Sequence, residues 1–229
     1  MFVKNKRHLA ILLDPDKAEP SNFLLEKALP DYFFIGGSFV SMHRQSQICI
    51  SIKKQCSVPL VLFPADPSHL TENADALLFL SLVSGRNPEY LIGKHVIAAP
   101  MLRKSKLKIL PTAYMLIDGG EATSASYISN SNPIPYQKSD IALATALAAQ
   151  MLGMKYIYLD CGSGAPKHVN PEMIKLLKDH LEIPIIVGGG IRTPETLFNL
   201  YEAGADVCVV GNILEKNPSL YMDFIAASK

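Results

Sequence analysis

Eight short apolar runs recur along this chain, and segments with a helical pattern separate most of them. Short runs that are apolar throughout are typical of strands buried on both faces, as in parallel sheets. Eight such strands alternating with helices favour an α/β fold closed into a (β/α)8 TIM barrel over an open sheet. The runs are residues 9–13, 32–35, 60–63, 76–80, 113–117, 156–159, 185–187 and 207–210.

The chain has the size of one such barrel. It has 229 residues, 48% of them hydrophobic, and no linker-like segment divides it. We therefore predict a single TIM-barrel domain over residues 1–229. Residues 64–75 are too few for a full crossover helix, so a turn or extended piece should replace it. The segment at residues 119–138 is long and polar, as functional loops often are.

Composition and charge exclude several classes of function. Lys and Arg number 22 against 21 Asp and Glu, a balance that argues against nucleic-acid binding and against a polybasic membrane anchor. The four cysteines form no CxxC pair, which favours reduced thiols. The run at 9–13 is too short for a signal peptide, and no stretch reaches the roughly 20 apolar residues of a membrane span. These features predict a soluble, cytoplasmic protein.

Glycines follow the last two predicted strands. Gly188, Gly189 and Gly190 come after the run at 185–187, and Gly211 and Asn212 come after the run at 207–210. In TIM barrels the loops after strands seven and eight commonly bind phosphate, and glycine lets a phosphate approach the backbone closely. The glycines would also be explained by tight turns alone. The pair of loops favours a phosphate site.

Acidic residues follow other predicted strands at the same rim. Asp14 comes after the first run and Asp160 after the sixth, while Ser38 follows the glycines after the second. Asp14 with an oxygen of Ser38 could bind Mg²⁺, which takes one or two carboxylates, waters and substrate oxygens. Since Asp-Pro favours turns, Asp14 could instead cap a turn. Core packing is the ordinary role of aromatic residues near strand ends, and they are candidates to line an apolar groove only if the substrate has an apolar tail: Phe39, Phe63, Phe79 and Tyr114.

Taken together, the motifs resemble those of geranylgeranylglyceryl phosphate synthases and their bacterial prenylglyceryl phosphate synthase relatives, most closely the larger archaeal and Bacteroidetes-type group. The resemblance covers nearly the whole chain. The matching stretches are LLDPDK at 12–17, FFIGGS at 33–38, LLFLSLVSGRNPEYLIGKH at 77–95, YISNSNPIP at 127–135, YLDCGSGAP at 158–166, VGGGIRTPE at 187–195 and VVGN at 209–212.

The resemblance implies a modified (β/α)8 barrel that joins sn-glycerol-1-phosphate to geranylgeranyl diphosphate and releases diphosphate. By the same resemblance, Asp14 and Ser38 would bind Mg²⁺, and Asp160 and Tyr158 would be catalytic. Glycerol phosphate would contact a wall formed by Tyr158, Leu159, Asp160, Cys161, Gly162, Ser163 and Gly164. Its phosphate would be held by backbone N–H groups of Gly189, Gly190, Gly211 and Asn212.

The chain departs from the family pattern at several positions. Asp160 and Cys161 stand where the family usually has Glu and Ala, so the carboxylate is retracted by one methylene. Ala65 replaces an expected glycine, and Asp118 and Glu121 are also unusual. These departures affect the expected efficiency and prenyl length more than the reaction class.

Two other functions use the same phosphate loops. An isomerase or aldolase would need an acid/base pair or a Schiff-base lysine on inward strand positions, but Lys108 and Lys155 lie at strand starts. A non-catalytic barrel that binds a phosphate ligand is the second alternative. The resemblance also implies a homo-oligomer, dimer or hexamer, and a lipid substrate implies transient contact with a membrane surface. The apolar helix predicted at 141–152 could form a subunit contact or pack closely on the barrel.

Overall fold

The computed structural model describes residues 1–17, 28–37, 40–41 and 44–229. Its centre is a closed barrel of eight parallel strands, which confirms the predicted TIM barrel. Each strand pairs with the next along the chain, and β8 closes the ring by pairing with β1. The strands are β1 His8–Leu13, β2 Tyr32–Gly36, β3 Leu60–Phe63, β4 Ala76–Leu82, β5 Lys108–Leu116, β6 Tyr156–Asp160, β7 Ile185–Gly188 and β8 Val207–Val210.

Helices in the described part of the chain lie between the strands or after β8. They are α1 Gln45–Lys53, α2 Lys94–Leu102, α3 Ser124–Ser129, α4 Ser139–Met151, α5 Pro171–His180, α6 Pro194–Glu202, α7 Asn212–Lys216 and α8 Tyr221–Ala227. A π-helical turn, Glu89–Gly93, leads directly into α2. Thr193 caps α6 as predicted, because its side chain accepts the N–H of Thr196 at 3.1 Å.

The connection between β3 and β4 lacks a crossover α-helix, as its length predicts. Residues 64–75, all of them described, hold only a 3-10 turn, Pro67–His69. Asp66 begins this turn, and its carboxylate accepts the N–H of Ser68 at 3.0 Å. The flank of the barrel at β3 and β4 therefore has no crossover α-helix between these two strands.

Two segments differ from the sequence pattern. Strand β5 starts at Lys108, five residues before the apolar run at 113. It contains Pro111, which has no N–H for the ladder but whose carbonyl accepts the N–H of Lys155 at 2.9 Å. The long polar segment at 119–138 is not structureless, because it contains α3, which Thr123 caps through a reciprocal pair of hydrogen bonds with Ser126.

Strand alternation divides the core into two apolar layers. One fills the barrel interior and includes Phe34, Val61 and Ile186. The other lies between the sheet and the helices and includes Phe33, Leu60 and Leu159. Because successive side chains of a strand point to opposite faces, every strand contributes to both layers.

Helix α4 has one buried stripe of small residues, Ala142, Ala146 and Ala149. This stripe agrees with close packing on the barrel. Ile141, Met151 and Leu152 are exposed at the ends of α4, so a subunit contact there stays a prediction. In the described chain, every helix is too short or too polar to cross a membrane.

A buried acid, Asp206, links several segments at the amino-terminal end of the barrel, and its removal should lower the stability of the fold. Asp206 is 1% exposed and accepts hydrogen bonds from the N–H groups of Asn5 and Ile185, at 2.6 and 2.9 Å, and from Lys178 Nζ at 2.7 Å. Replacing Asp206 by Ala would leave these donors unpaired. We expect a loss of about 3 kcal/mol in the free energy of unfolding, measured by denaturant titration.

Glu202→Gln is the matched control, since it breaks an exposed ion pair with Arg7. Exposed pairs contribute about 0–1 kcal/mol, so this variant should unfold like the unmodified protein. Equal losses in the two variants would show that Asp206 contributes no more than an exposed acid.

Candidate active site

A cavity of about 590 Å³ opens at the carboxyl ends of the strands. This is the end of a TIM barrel where catalytic residues lie. Predicted site residues from several strand ends meet here. Those that line the cavity are Asp14, Tyr158, Asp160, Ser163, Gly164, Gly189, Gly190, Gly211 and Asn212.

Asp160 ends β6 and points into the barrel with its carboxylate held on both oxygens. Tyr114 donates its hydroxyl to Oδ2 at 2.5 Å, and the Gly162 N–H donates to Oδ1 at 2.7 Å. Burial raises the pKa of Asp160 above the ordinary aspartate value, although both hydrogen bonds work in the opposite direction. A fixed carboxylate with a raised pKa is suited to accept a proton.

Tyr158 lies two residues before Asp160 on β6 and therefore faces the same cavity. Its ring stacks on Phe63 with 5.2 Å between centroids and meets Tyr114 edge to face at 5.4 Å. Burial raises the pKa of both tyrosines well above the ordinary value, and the charge of Asp160 adds to this. Both hydroxyls therefore stay protonated near neutral pH and can donate hydrogen bonds.

The loop after β7 packs backbone to backbone against the loop after β6. Gly189 and Gly190 have φ angles of +80° and +69°. A Cβ on Gly189 would lie 2.6 Å from the Gly162 nitrogen and 2.8 Å from Asp160 Oδ1, and one on Gly190 would lie 2.2 Å from the Lys167 oxygen. This packing alone requires glycine, and it leaves main chain rather than side chains at the cavity wall.

Three loops are joined beside these glycines. Ser163 donates its hydroxyl to Asn212 Oδ1 at 2.8 Å, which links the loops after β6 and β8. Arg192, after β7, donates to the carbonyls of Gly164 and Ala165 at 3.1 and 2.9 Å. Arg192 lines the cavity too, and its cationic side chain adds positive charge near the predicted phosphate site.

Asp14 follows β1 and lines the same cavity. Its Oδ1 accepts the N–H of Asp16 at 3.0 Å, so it does cap a turn, and its Oδ2 pairs with Lys17 Nζ at 2.9 Å. The predicted partner Ser38 lies outside the described residues, as does Phe39. The end of β2 is nonetheless close to Asp14, because a Cβ built on Gly37 would be 3.8 Å from Asp14 Cγ.

Glu215 is a site residue that strand-end reasoning misses, because it lies on α7. It lines the cavity, and burial raises the pKa of its half-buried carboxyl, with a further increase from the charge of Asp14 and a decrease from Lys17. Two neighbouring carboxylates supply the hard oxygen donors that Mg²⁺ prefers. Across the described residues, no three His, Cys, Asp or Glu side chains group as a metal site, but Mg²⁺ needs only one or two carboxylates beside water and substrate oxygens.

Leu159 and Cys161 are placed differently from the prediction. Both alternate with Tyr158 and Asp160 on β6 and its end, so their side chains pack in the layer between sheet and helices. They are 0% and 1% exposed, and neither lines the cavity. Gly162 does not line the cavity either, and its N–H donates a hydrogen bond to Asp160. The contiguous motif at 158–164 therefore contributes only some of its residues to the wall.

An apolar groove adjoins the cavity at the flank of β3 and β4, where the crossover helix is missing. Gly37 and Phe63 line both spaces, so one continues into the other. The predicted aromatic residues Phe63, Phe79 and Tyr114 all line the groove. The loop after β3 and α2 form two of its walls, and β4, the end of β5 and α3 supply the rest; the lining includes Pro64, Leu70, Leu77, Leu78, Leu80, Leu82, Ala98, Leu116 and Ile128.

Known proteins are similar to this chain over nearly its whole length. The sequence profile of the PcrB family matches residues 1–229. A geranylgeranylglyceryl phosphate synthase of Spirosoma linguale is 47% identical over 223 residues, covering 95% of this chain and 90% of the relative. One of Chitinophaga pinensis is 48% identical over 229 residues, covering 98% and 91%.

A solved structure is similarly close in fold. The crystal structure of (S)-3-O-geranylgeranylglyceryl phosphate synthase from Thermoplasma acidophilum, in complex with substrate sn-glycerol-1-phosphate, superposes with a TM-score of 0.90 at 33% identity. The match covers 98% of this chain and 94% of that chain.

Proposed function

The chain belongs to the PcrB family, and from that premise we propose that it is a prenyltransferase that joins sn-glycerol-1-phosphate to geranylgeranyl diphosphate. The products are geranylgeranylglyceryl phosphate and diphosphate. The names of the relatives support this activity. The observation that carries it is the junction of a polar cavity, with a fixed carboxylate and glycine loops, and an apolar groove at Gly37 and Phe63.

The sn-glycerol-1-phosphate would bind in the polar cavity. The phosphate would lie against the main chain of Gly189 and Gly190 and the loop at Gly211 and Asn212, close to Arg192. Holding the phosphate at one end of a three-carbon acceptor limits which hydroxyl reaches the allylic carbon. Asp160 accepts the proton of the C3 hydroxyl while a C–O bond forms to the allylic carbon and the C–O bond to diphosphate breaks.

Tyr114 and the Gly162 N–H keep the Asp160 carboxylate in place, and Tyr158 forms the adjoining wall. Asp14, with Glu215 beside it, would hold Mg²⁺, and Lys17 would have to yield part of its contact with Asp14. When bound, Mg²⁺ supplies neutralisation of the charge that builds on the leaving diphosphate. The prenyl tail would lie in the groove, where burial of its methylene-sized groups contributes on the order of 10 kcal/mol gross.

Incubation with labelled sn-glycerol-1-phosphate, Mg²⁺ and prenyl diphosphates of several lengths tests this function. A solvent-extractable labelled product is expected, with sn-glycerol-3-phosphate as the stereochemical control. If no product forms with any of the diphosphates, the protein lacks this activity, and a non-catalytic barrel that binds a phosphate ligand becomes the better interpretation. An aldolase that works through a Schiff base lacks support, because among the strand residues, all of which are described, the lone lysine is Lys108 at the entry end of β5.

Substituting Gly189 by Ala should weaken phosphate binding. The added Cβ would lie under 3.0 Å from atoms of Asp160 and Gly162. Residue 189 would also keep a left-handed φ, which alanine disfavours. We expect at least a tenfold loss of glycerol-1-phosphate affinity by calorimetry, as follows from displacing a site that must be held to about 0.5 Å.

Gly153→Ala provides the matched control, since Gly153 has a φ of +91° and no atom lies within 4 Å of the place that a Cβ would take. Its backbone strain of about 1–2 kcal/mol should lower stability without changing affinity. If both variants bind glycerol-1-phosphate like the unmodified protein, the phosphate lies elsewhere.

Homo-oligomerisation, lipid contact and a cytoplasmic location belong to the same proposal. The exposed Ile141, Met151 and Leu152 of α4 support a contact between copies. Val96, Ile97 and Met101 are exposed on α2, the helix that forms one groove wall, and they support contact with a lipid surface. Sedimentation and vesicle flotation measure the two separately.

A further inference from the structure

A charged pair joins the two walls of the apolar groove. Lys94 is the first residue of α2, on one wall, and Asp66 lies in the loop after β3, on the other. Lys94 Nζ is 3.0 Å from Asp66 Oδ2 and 3.0 Å from the carbonyl oxygen of Ala65. The ammonium group therefore binds both side chain and main chain of the opposite wall.

Each partner is fixed by further contacts. The Tyr90 ring lies under the ammonium with 4.5 Å from Nζ to its centroid. Asp66 also accepts the N–H and the hydroxyl of Ser68. Partial burial works against its charge, but these bonds and Lys94 outweigh it and lower the pKa of Asp66 to about 2. The pKa of Lys94 is raised, because its contacts with Asp66 and Tyr90 outweigh partial burial, so both groups are charged near neutral pH.

The pair lies at the end of the groove nearest the cavity. Strand β4 runs from Ala76 toward the mouth at Leu82, and α2 runs back in the opposite direction, so its first residue is near the mouth. Leu77, near the start of β4, and Ala98, about one turn into α2, also line the groove, and these two directions place them farther from the mouth than Lys94. A tail reaching those residues from the cavity passes the level of Lys94.

We infer that Lys94 and Asp66 form a clamp, which fixes the spacing of the groove walls and retains a long prenyl tail. This inference rests on the proposed prenyltransferase function. A tail in the groove would exclude water from the pair, and charged contacts strengthen when water is excluded. The ammonium would keep three partners in that state, a carboxylate, a carbonyl and a ring face, so its charge stays compensated.

Three variants and two ligands test the clamp. Lys94→Met keeps the apolar stem, Asp66→Asn keeps an acceptor for Ser68, and the double variant removes both charges. The affinity for unreactive geranylgeranyl thiodiphosphate should fall about fivefold in each single variant, the upper range for such partly exposed pairs. The double variant should lose no more than either single one, because all three break the same contact.

Other constants should stay unchanged. The KM for glycerol-1-phosphate and kcat should be retained, as should the affinity for dimethylallyl diphosphate, whose short tail does not pass the clamp. Lys53→Met is the matched control, because it breaks a lysine–aspartate pair with Asp75 that does not line the groove. It should leave every affinity unaltered.

Three results would overturn the clamp. Unchanged affinity for the long analogue in the single variants shows that the pair does not retain the tail. Equal weakening of the long and short diphosphates shows that Lys94 binds the diphosphate instead. If the unmodified protein binds neither diphosphate, the proposed function and the clamp fail together, whereas the first two results remove the clamp alone.

Discussion

Replacement of Asp160 by Asn should lower kcat by about 10²–10⁴-fold, the usual contribution of a general base. Asparagine has nearly the same shape: its amide oxygen can accept the N–H of Gly162, and its NH2 group can donate to the hydroxyl oxygen of Tyr114 once that hydroxyl turns, but it cannot take a proton. The barrel should therefore remain folded, and the affinity for glycerol-1-phosphate should change little. Single-turnover kinetics with the proposed substrates measure the loss, and circular dichroism checks the fold.

The pH profile gives an independent measure of the same residue. Burial raises the pKa of Asp160, so as the pH falls its carboxylate takes up a proton at a higher pH than an ordinary aspartate. The acid limb of kcat should therefore lie above the ordinary aspartate range and should vanish in Asp160→Asn. A full rate in the variant would reduce Asp160 to a structural residue.

Replacement of Asp14 by Asn should abolish turnover and the response to Mg²⁺. The neutral amide would still accept the N–H of Asp16 and so keep the turn, but it would no longer attract a divalent cation. Calorimetric titration with Mg²⁺ in the presence of diphosphate, alongside the rate, measures both effects.

Asp118→Asn is the control for Asp14. Asp118 follows β5 and its Oδ1 accepts the N–H of Gly120 at 2.8 Å, so it makes the same kind of turn without lining the cavity. Its variant should keep the Mg²⁺ response. Retention of near-full activity by Asp14→Asn, or by the unmodified protein in EDTA, would contradict the metal role.

Much of the barrel could be predicted because buried parallel strands leave continuous apolar runs in the sequence. Strand β5 begins earlier than its run because Lys108 and Pro111 interrupt the apolar pattern, and neighbour pairing with β4 decides the strand instead. The short helix α3 could not be read from its polar composition, since its stability depends on the Thr123 cap.

The candidate site could be predicted where it follows strand ends and not where it depends on contacts between elements. Asp14, Asp160 and the paired glycine loops are evident from strand ends alone. Arg192 and Glu215 lie beyond those ends, and the sequence marks Tyr114 only as apolar lining, although it binds Asp160. The contiguous motif at 158–164 predicts Leu159 in the wall, because such a motif hides the alternation of side chains along a strand.

The missing crossover helix between β3 and β4 has a thermodynamic consequence for the ligand-free protein. Parallel strands are ordinarily covered on both faces, yet here a stretch of β4 borders an open groove. A bound hydrocarbon chain would serve as the absent cover, so substrate becomes part of the hydrophobic shell of the enzyme. The melting temperature should accordingly climb with each isoprene unit that the groove can accommodate, independently of catalysis.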